Sequence, residues 1–228
     1  MRAKISVLVW TICMLVASDR WHADVEAKAF GQFEDATLVV VYSATDEDAQ
    51  IIISGGSEEP LRTVKVSGPG GLRPMSWKSK DGAGLGQADF QFETPEPTLE
   101  ELMAAYPAGM YRFVGRTVEN ARLKSDVELS YDLLPEPQIL FPEDGDSDIT
   151  VDGLLVEWNP VPGAAAIRLE IEDEETEVAL KVDLPGDADR FEVPNNWLQP
   201  GTEYVLDIKA IADNGNQTVT DLRFTTEE

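Results

Sequence analysis

The sequence has little cysteine, histidine or positive charge: its 228 residues include one Cys, one His, and 18 Lys and Arg against 43 Asp and Glu. A net charge of −25 argues against binding to DNA or RNA, because phosphates are bound by clustered Lys and Arg. The single His excludes His-rich zinc sites and argues against a Ser–His–Asp triad. The length allows one or two domains, each with its own core.

The first 18 residues have the pattern of a secretory signal peptide. Arg2 and Lys4 precede an apolar run at residues 5–17, which is shorter than the roughly 20 residues that a membrane-spanning helix needs. Cleavage is expected after Ser18, since small and aliphatic residues precede it. The alternative is a buried N-terminal helix. We therefore predict an exported protein, periplasmic or secreted, with no integral membrane segment after signal removal.

Removal of the signal would also remove Cys13, the only cysteine. The residues before Cys13 do not match a lipoprotein cleavage site, which needs small residues immediately before the cysteine. An exported protein without disulfides must be stabilised by its hydrophobic cores alone.

A boundary is predicted near residue 137. Two proline-rich, acidic stretches, at 135–137 and 142–148, flank a short apolar segment, and such stretches disfavour helix. We predict one domain at 19–136 and a second at 137–228. Both are acidic, the second more strongly, with 22 acidic against 5 basic residues.

The second half alternates apolar and polar residues, which is typical of half-buried strands. Asp213, Asn214 and Gly215 favour a tight hairpin turn, because Asn and Gly accept positive φ. Seven short strands in about ninety residues predict a β-sandwich. The strands are expected near 139–141, 154–158, 167–171, 178–182, 191–193, 204–210 and 222–224.

Motifs in the second half resemble a fibronectin type III domain. They are WNPVPGA at 158–164, LQPGTEY at 198–204, IKA at 208–210 and GN at 215–216, in that order. The resemblance covers 137–228 and implies that Trp158 lies on the second strand. It also implies that Tyr204 is the corner tyrosine whose hydroxyl satisfies a nearby backbone group. No Arg-Gly-Asp triplet is present, so the integrin contact of that family is not implied.

The first half has a less regular pattern that also predicts β-strands, with runs such as TLVVVY at 37–42. One short helix is expected, because Thr98 and Glu101 form a capping box before an apolar segment. Residues 106–111 and 198–204 both place a Tyr after a corner with Pro and Gly. This repetition predicts an immunoglobulin-like sandwich in the first domain. The whole layout resembles exported bacterial proteins that carry one fibronectin type III domain.

The candidate metal ligands are Asp144, Asp146 and Asp148, which stand at alternate positions as in a calcium loop. An EF-hand would have Gly and Glu where Ile149 and Leu155 stand, so that motif fails. A calcium site of another kind between the domains stays open, and a solvated acidic linker is the favoured alternative.

Other polar stretches also have a structural and a functional interpretation. Residues 45–48 can offer carboxylates to a cation or a sugar, but a hairpin loop is favoured. The acidic stretch at 170–177 fits solvated strand faces and a turn. The glycine-rich segments at 68–71 and 82–86 are read as loops, because no helix follows to complete a phosphate site. Trp77 fits either sugar stacking or packing, and Trp197 is expected to pack beneath the Leu198 corner.

No catalytic constellation is visible, so the leading interpretation is a non-enzymatic, exported binding or structural module with a protein or glycan partner. One alternative is a calcium-binding envelope protein with acidic residues at the domain junction. The other is a carbohydrate-active or carbohydrate-binding accessory protein, since paired carboxylates can hydrolyse glycosides when held in a cleft.

Overall fold

A computed structural model describes residues 30–79 and 86–228, which form fourteen strands and one short helix. The predicted signal peptide, at 1–18, lies outside the described residues. The first-half elements are β1 (Glu34–Ser43), β2 (Asp48–Ser67), β3 (Met75–Lys78), β4 (Gln87–Glu93), α1 (Leu99–Ala105), β5 (Gly109–Thr117) and β6 (Arg122–Leu129). The second-half strands are β7 (Ile139–Phe141), β8 (Asp146–Ile149), β9 (Leu155–Trp158), β10 (Ala166–Asp173), β11 (Ala179–Pro185), β12 (Arg190–Glu192), β13 (Glu203–Ile211) and β14 (Gln217–Thr226).

The long strand β2 organises the first half. Its first part pairs with β1 and β4, and its second part pairs with β3 and β5, which in turn pairs with β6. The change of partners follows a bulge after Gly56. A Cβ on the neighbouring Gly55 would lie 3.0 Å from the Phe90 ring, so glycine lets that ring pack directly on the backbone. Residues Asp48–Ser67 thus form one continuous strand with two sets of partners.

The apolar faces of these strands enclose the N-terminal core, which comprises sixteen buried side chains between Phe33 and Leu129. Tyr111 is fully buried at its centre, and its hydroxyl donates to the Pro107 carbonyl at 3.0 Å. The expected helix is present with its capping box: the Glu101 N–H donates to Thr98 Oγ1, and Glu101 Oε2 accepts from the Thr98 N–H. These contacts confirm the β-rich interpretation with one short helix.

The second half forms two facing sheets, as predicted. One has the order β12-β9-β7 and the other has the order β11-β10-β13-β14. All seven expected strands are present, and they form the predicted β-sandwich. An eighth strand, β8, pairs in parallel with β14. The sequence favoured a linker there, but burial of Ile149 between the sheets draws residues 146–149 onto β14.

Between these sheets lies the C-terminal core, sixteen buried side chains between Ile149 and Phe224. Trp158 is 1% exposed, and its indole N–H donates to the Ala188 carbonyl at 2.9 Å. Tyr204 is 2% exposed, and its hydroxyl accepts the Gln199 N–H at 2.8 Å. Both positions expected from the resemblance are therefore core residues, and the tyrosine hydroxyl satisfies backbone as that resemblance implied.

Candidate functional site

The two cores are joined by a continuous sheet, and this junction is the feature that most distinguishes the molecule. Strand β1 pairs in parallel with β14, where Val41, Tyr42 and Ser43 face Gln217, Thr218 and Val219. One ladder therefore runs from β11 through β14 and β1 to β6. The two halves are therefore joined by backbone hydrogen bonds between strands as well as by the connecting chain.

Asn216, at the start of this pairing, is a buried side chain that bonds both halves. It is 2% exposed, and its Oδ1 accepts the Val40 N–H at 2.9 Å. Its Nδ2 donates to the Ser130 carbonyl at 2.9 Å and to the Asp132 carbonyl at 3.2 Å. A side-chain amide has two donor hydrogens and one acceptor oxygen, and all are used here. Removing this amide would leave the buried Val40 N–H without this partner, which is costly.

Four further hydrogen bonds extend the junction along β14 beyond Asn216. The Thr218 hydroxyl donates to the Leu134 carbonyl at 2.9 Å. At the other end, Thr45 Oγ1 accepts the Asp221 N–H at 3.0 Å and donates to the Asp221 carbonyl at 3.2 Å. The Ala44 N–H donates to the Val219 carbonyl at 2.8 Å. The β1–β2 turn is thus bonded along β14.

A cleft of about 300 Å³, the junction cleft, opens beside this turn. Carboxylates from both halves line it, and Lys209 is its only cationic lining residue in the described ranges. Burial raises the pKa of Asp207, although Lys209 partly offsets this. Burial and the neighbouring charges of Asp46 and Asp221 also raise the pKa of Asp48. The acidic lining residues are Asp46, Asp48, Glu96, Asp207 and Asp221.

Lys209 belongs to a row of alternating charges on the C-terminal sheet. Lys181 Nζ lies 2.5 Å from Glu170 Oε1. Lys209 Nζ lies 3.3 Å from Glu170 Oε2 and 3.1 Å from Asp207 Oδ2. Burial of Glu170 raises its pKa, but the hydrogen bond from Lys181 and the charge of Lys209 outweigh it, so the net pKa is lowered. Glu170 therefore stays ionised at neutral pH, and Lys209 is already engaged by two carboxylates.

The three predicted calcium ligands are placed as follows. Asp144 lines a separate groove of about 400 Å³ at the junction, and its Oδ1 accepts the Arg223 N–H at 3.0 Å. Asp146 Oδ2 accepts the Glu143 N–H at 2.8 Å, which fixes the turn before β8. Asp148 is exposed and has a positive φ of 60°. Over 30–79 and 86–228, no three His, Cys, Asp or Glu side chains are grouped to hold a metal ion. Calcium binding at these three residues stays a prediction.

The remaining polar candidates have structural positions. Residues 44–47 form the β1–β2 turn, where the Asp46 N–H donates to Ser43 Oγ at 3.0 Å. Trp77 lies on β3 opposite Val64 and packs against the N-terminal core. Trp197 packs on Tyr204, with ring centroids 5.6 Å apart. Residues 69–71 form a short 3-10 turn, and most of the 82–86 loop lies outside the described residues.

Sequence reasoning missed the role of Asn216 and the assembly of the junction cleft. Asn216 followed a hairpin signal and was read only as part of a family motif. Its partners lie 84 to 176 residues away along the chain, so no local pattern announces them. A buried polar residue directly after a turn can be identified as a junction residue only when the strand pairing is known.

Solved structures similar to this chain include fibronectin modules. The fibronectin(III)-like modules of Clostridium thermocellum CbhA are 9% identical, with 86% of this chain and 93% of that chain covered at a TM-score of 0.35. A segment of two fibronectin type III domains from chicken tenascin is 13% identical, with 86% and 97% covered at a TM-score of 0.33. No protein-family model and no curated protein matches the chain. In the part of the chain that the structure describes, no helix is long and apolar enough to cross a membrane.

Proposed function

We propose that the protein is a non-enzymatic, exported structural and binding module in which two sandwich domains act as one rigid body. The observation that supports this best is the ladder through β1 and β14, with Asn216 bonded to both halves. A rigid pair holds its outer surfaces at a fixed spacing and orientation, which is what a spacer or a presenting scaffold requires. Export is supported by the sequence pattern of residues 1–18.

The proposed division into domains is supported by the packing of adjacent residues. Leu133 packs against the N-terminal core, and Leu134 packs against the C-terminal core. The change from one core to the other therefore falls just before the proposed boundary between 136 and 137. Because Thr218 and Asn216 bond the backbone of 130–134, this crossover segment is held on β14 and does not act as a free linker.

The proposal is tested by measuring the distance between the halves. Spin labels at Glu100→Cys on α1 and Asp187→Cys in the β11–β12 turn, in a full chain carrying Cys13→Ser, report the distance by pulsed electron resonance. Both positions are exposed. We expect one narrow distance distribution, because the shared sheet leaves no hinge.

Asn216→Ala should broaden this distribution, since it removes the hydrogen bonds from Asn216 to the Val40 N–H and to the Ser130 and Asp132 carbonyls. Asn195→Ala is the matched control: it removes an exposed side-chain amide that bonds only within the second half, to the Gly153 N–H. A broad distribution in the parent protein, or equal broadening by both substitutions, would refute the rigid-body function.

A further inference from the structure

Another cavity, the aromatic pocket, lies at the start of β13. Its volume is about 250 Å³. It is formed where the turn between β10 and β11 meets the corner before β13. The lining residues are Asp173, Thr176, Val178, Trp197, Gln199 and Tyr204.

The aromatic wall of this pocket is held in place by the core beneath it. Trp197 packs on Tyr204 at 5.6 Å between ring centroids, and Tyr204 stacks on Phe224 at 5.5 Å. The bond from the Gln199 N–H to the Tyr204 hydroxyl fixes the opposite side. A ligand would therefore meet a preformed indole surface, which reduces the entropy lost on binding.

Val178 gives the pocket an exposed apolar rim. It is 58% exposed, more than any other large apolar side chain in the described ranges. An apolar side chain left in water beside an indole is a surface that an incoming hydrocarbon chain can cover.

The turn beside the pocket carries a concentrated negative charge. Its five acidic residues are Glu172, Asp173, Glu174, Glu175 and Glu177. Asp173 Oδ1 accepts the N–H groups of Glu175 and Thr176 at 2.9 and 3.0 Å, and the pKa of Asp173 is lowered chiefly by the bond from Thr176. The carboxylate next to the indole therefore remains ionised at neutral pH. Arg223 neutralises Glu174, at 2.9 Å, on the side of the turn facing β14.

An apolar and aromatic wall next to fixed carboxylates matches a long cationic side chain. The methylene groups of Lys or Arg can lie along Val178 while the cation faces the indole and the acidic turn. We propose that the aromatic pocket binds a lysine or arginine side chain in a basic segment of a protein partner. This proposal names the kind of partner that the binding module takes. It rests on the proposed function only because it treats the chain as a binding module.

The test is the binding of rhodamine-labelled hexalysine to the full-length protein, followed by fluorescence anisotropy at about 0.15 M salt, where long-range attraction between exposed charges is screened. We expect Val178→Ser to weaken binding about fivefold, because it removes apolar contact without changing charge. Leu140→Ser is the matched control, since Leu140 is similarly exposed, at 53%, on β7. It should leave the affinity unchanged.

The acidic turn is tested in the same way. Glu175→Gln should weaken binding more than Glu119→Gln, an exposed acid in the β5–β6 turn, although both remove one charge. If Val178→Ser binds as tightly as the parent, or if each control weakens binding as much as its partner variant, the attraction is diffuse and the pocket proposal is overturned. Asn216→Ala should bind hexalysine normally, so failure of the rigid junction and failure of this pocket give different results.

Discussion

Trp158 shows how much a single side chain contributes to a sandwich that has no disulfide among its described residues. It is almost completely buried and hydrogen-bonded through its indole N–H. Replacing such a residue by Ala removes apolar burial and leaves a cavity, which costs about 3–5 kcal/mol. The total free energy of unfolding of a domain is typically only about 5–15 kcal/mol.

We therefore expect Trp158→Ala to lower the melting temperature by many degrees in calorimetry. Trp77→Ala, at a half-buried position, should lower it less. A Trp158→Ala protein that melts within a degree or two of the parent would show that burial of the indole contributes little to the stability of the C-terminal core.

Two tyrosines, the buried Tyr111 and the partly buried Tyr131, predict sensitivity to alkali. Burial, with the neighbouring tyrosines, raises the pKa of both Tyr111 and Tyr131 to about 12, from an ordinary value of 10.0. In the unfolded chain they ionise near pH 10, while the folded protein keeps them protonated. The stability they contribute is therefore fully present below pH 10 and is lost as the pH rises from about 10 to about 12.

Denaturant melts between pH 8 and 11.5 measure this loss. Tyr111→Phe removes one of the two groups, so its stability should fall less steeply above pH 10 than that of the parent. Tyr42→Phe, on β1, is the comparison. Identical alkaline slopes for the parent and Tyr111→Phe would contradict the assignment.

At the scale of elements, β8 and the turn before it determine what calcium can do. Asp144 and Asp146 each accept a backbone N–H, so their carboxylates already hold the turn against β14. A bound ion would raise stability by RT ln(1 + [L]/Kd), about 2.7 kcal/mol at 100 times Kd. Any salt, in contrast, raises stability by screening the repulsion within a chain whose net charge is −25.

We expect melting temperatures to rise in salt generally, with little extra rise in millimolar calcium compared with magnesium. Asp146→Asn should lower stability modestly, because a neutral amide oxygen accepts the Glu143 N–H less strongly than a carboxylate. A rise of several degrees that is specific to calcium and is abolished in Asp146→Asn would establish the metal site at Asp144, Asp146 and Asp148.

Local sequence patterns were sufficient to predict most strands and the helix, but they did not predict how these elements pair. Alternation located all seven expected strands of the second half, and the capping box located α1. The change of partners along β2 follows a bulge next to the contact between Gly55 and Phe90, and β8 brings Ile149 into the C-terminal core. Such contacts join residues distant in sequence, so short-range periodicity does not contain them.

The candidate site follows the same rule. The sequence marked residues 45–48 as a hairpin loop and Asp144 as a candidate metal ligand, and both lie at the junction. It gave no sign that β1 would pair with β14 or that Asn216 would bond three backbone groups. Parallel pairing between the two halves joins strands that are distant in sequence, which no periodic pattern within either half encodes.

At the scale of the whole molecule, the central claim is that the two cores tumble together. Their sheet is continuous, and the crossover segment at 130–134 is bonded to β14. Domains joined only by a linker and a small polar contact generally move relative to each other. The shared ladder should suppress that motion in this protein.

Residual dipolar couplings of the backbone amides in the full-length protein test this most directly. If the cores form one rigid body, couplings from β2, β5 and β6 and couplings from β10, β13 and β14 fit a single alignment tensor with the same magnitude. If the two sets require different tensors, or one set is strongly averaged, the halves move independently, and the account of a rigid module built on Asn216 and the β1–β14 pairing is wrong.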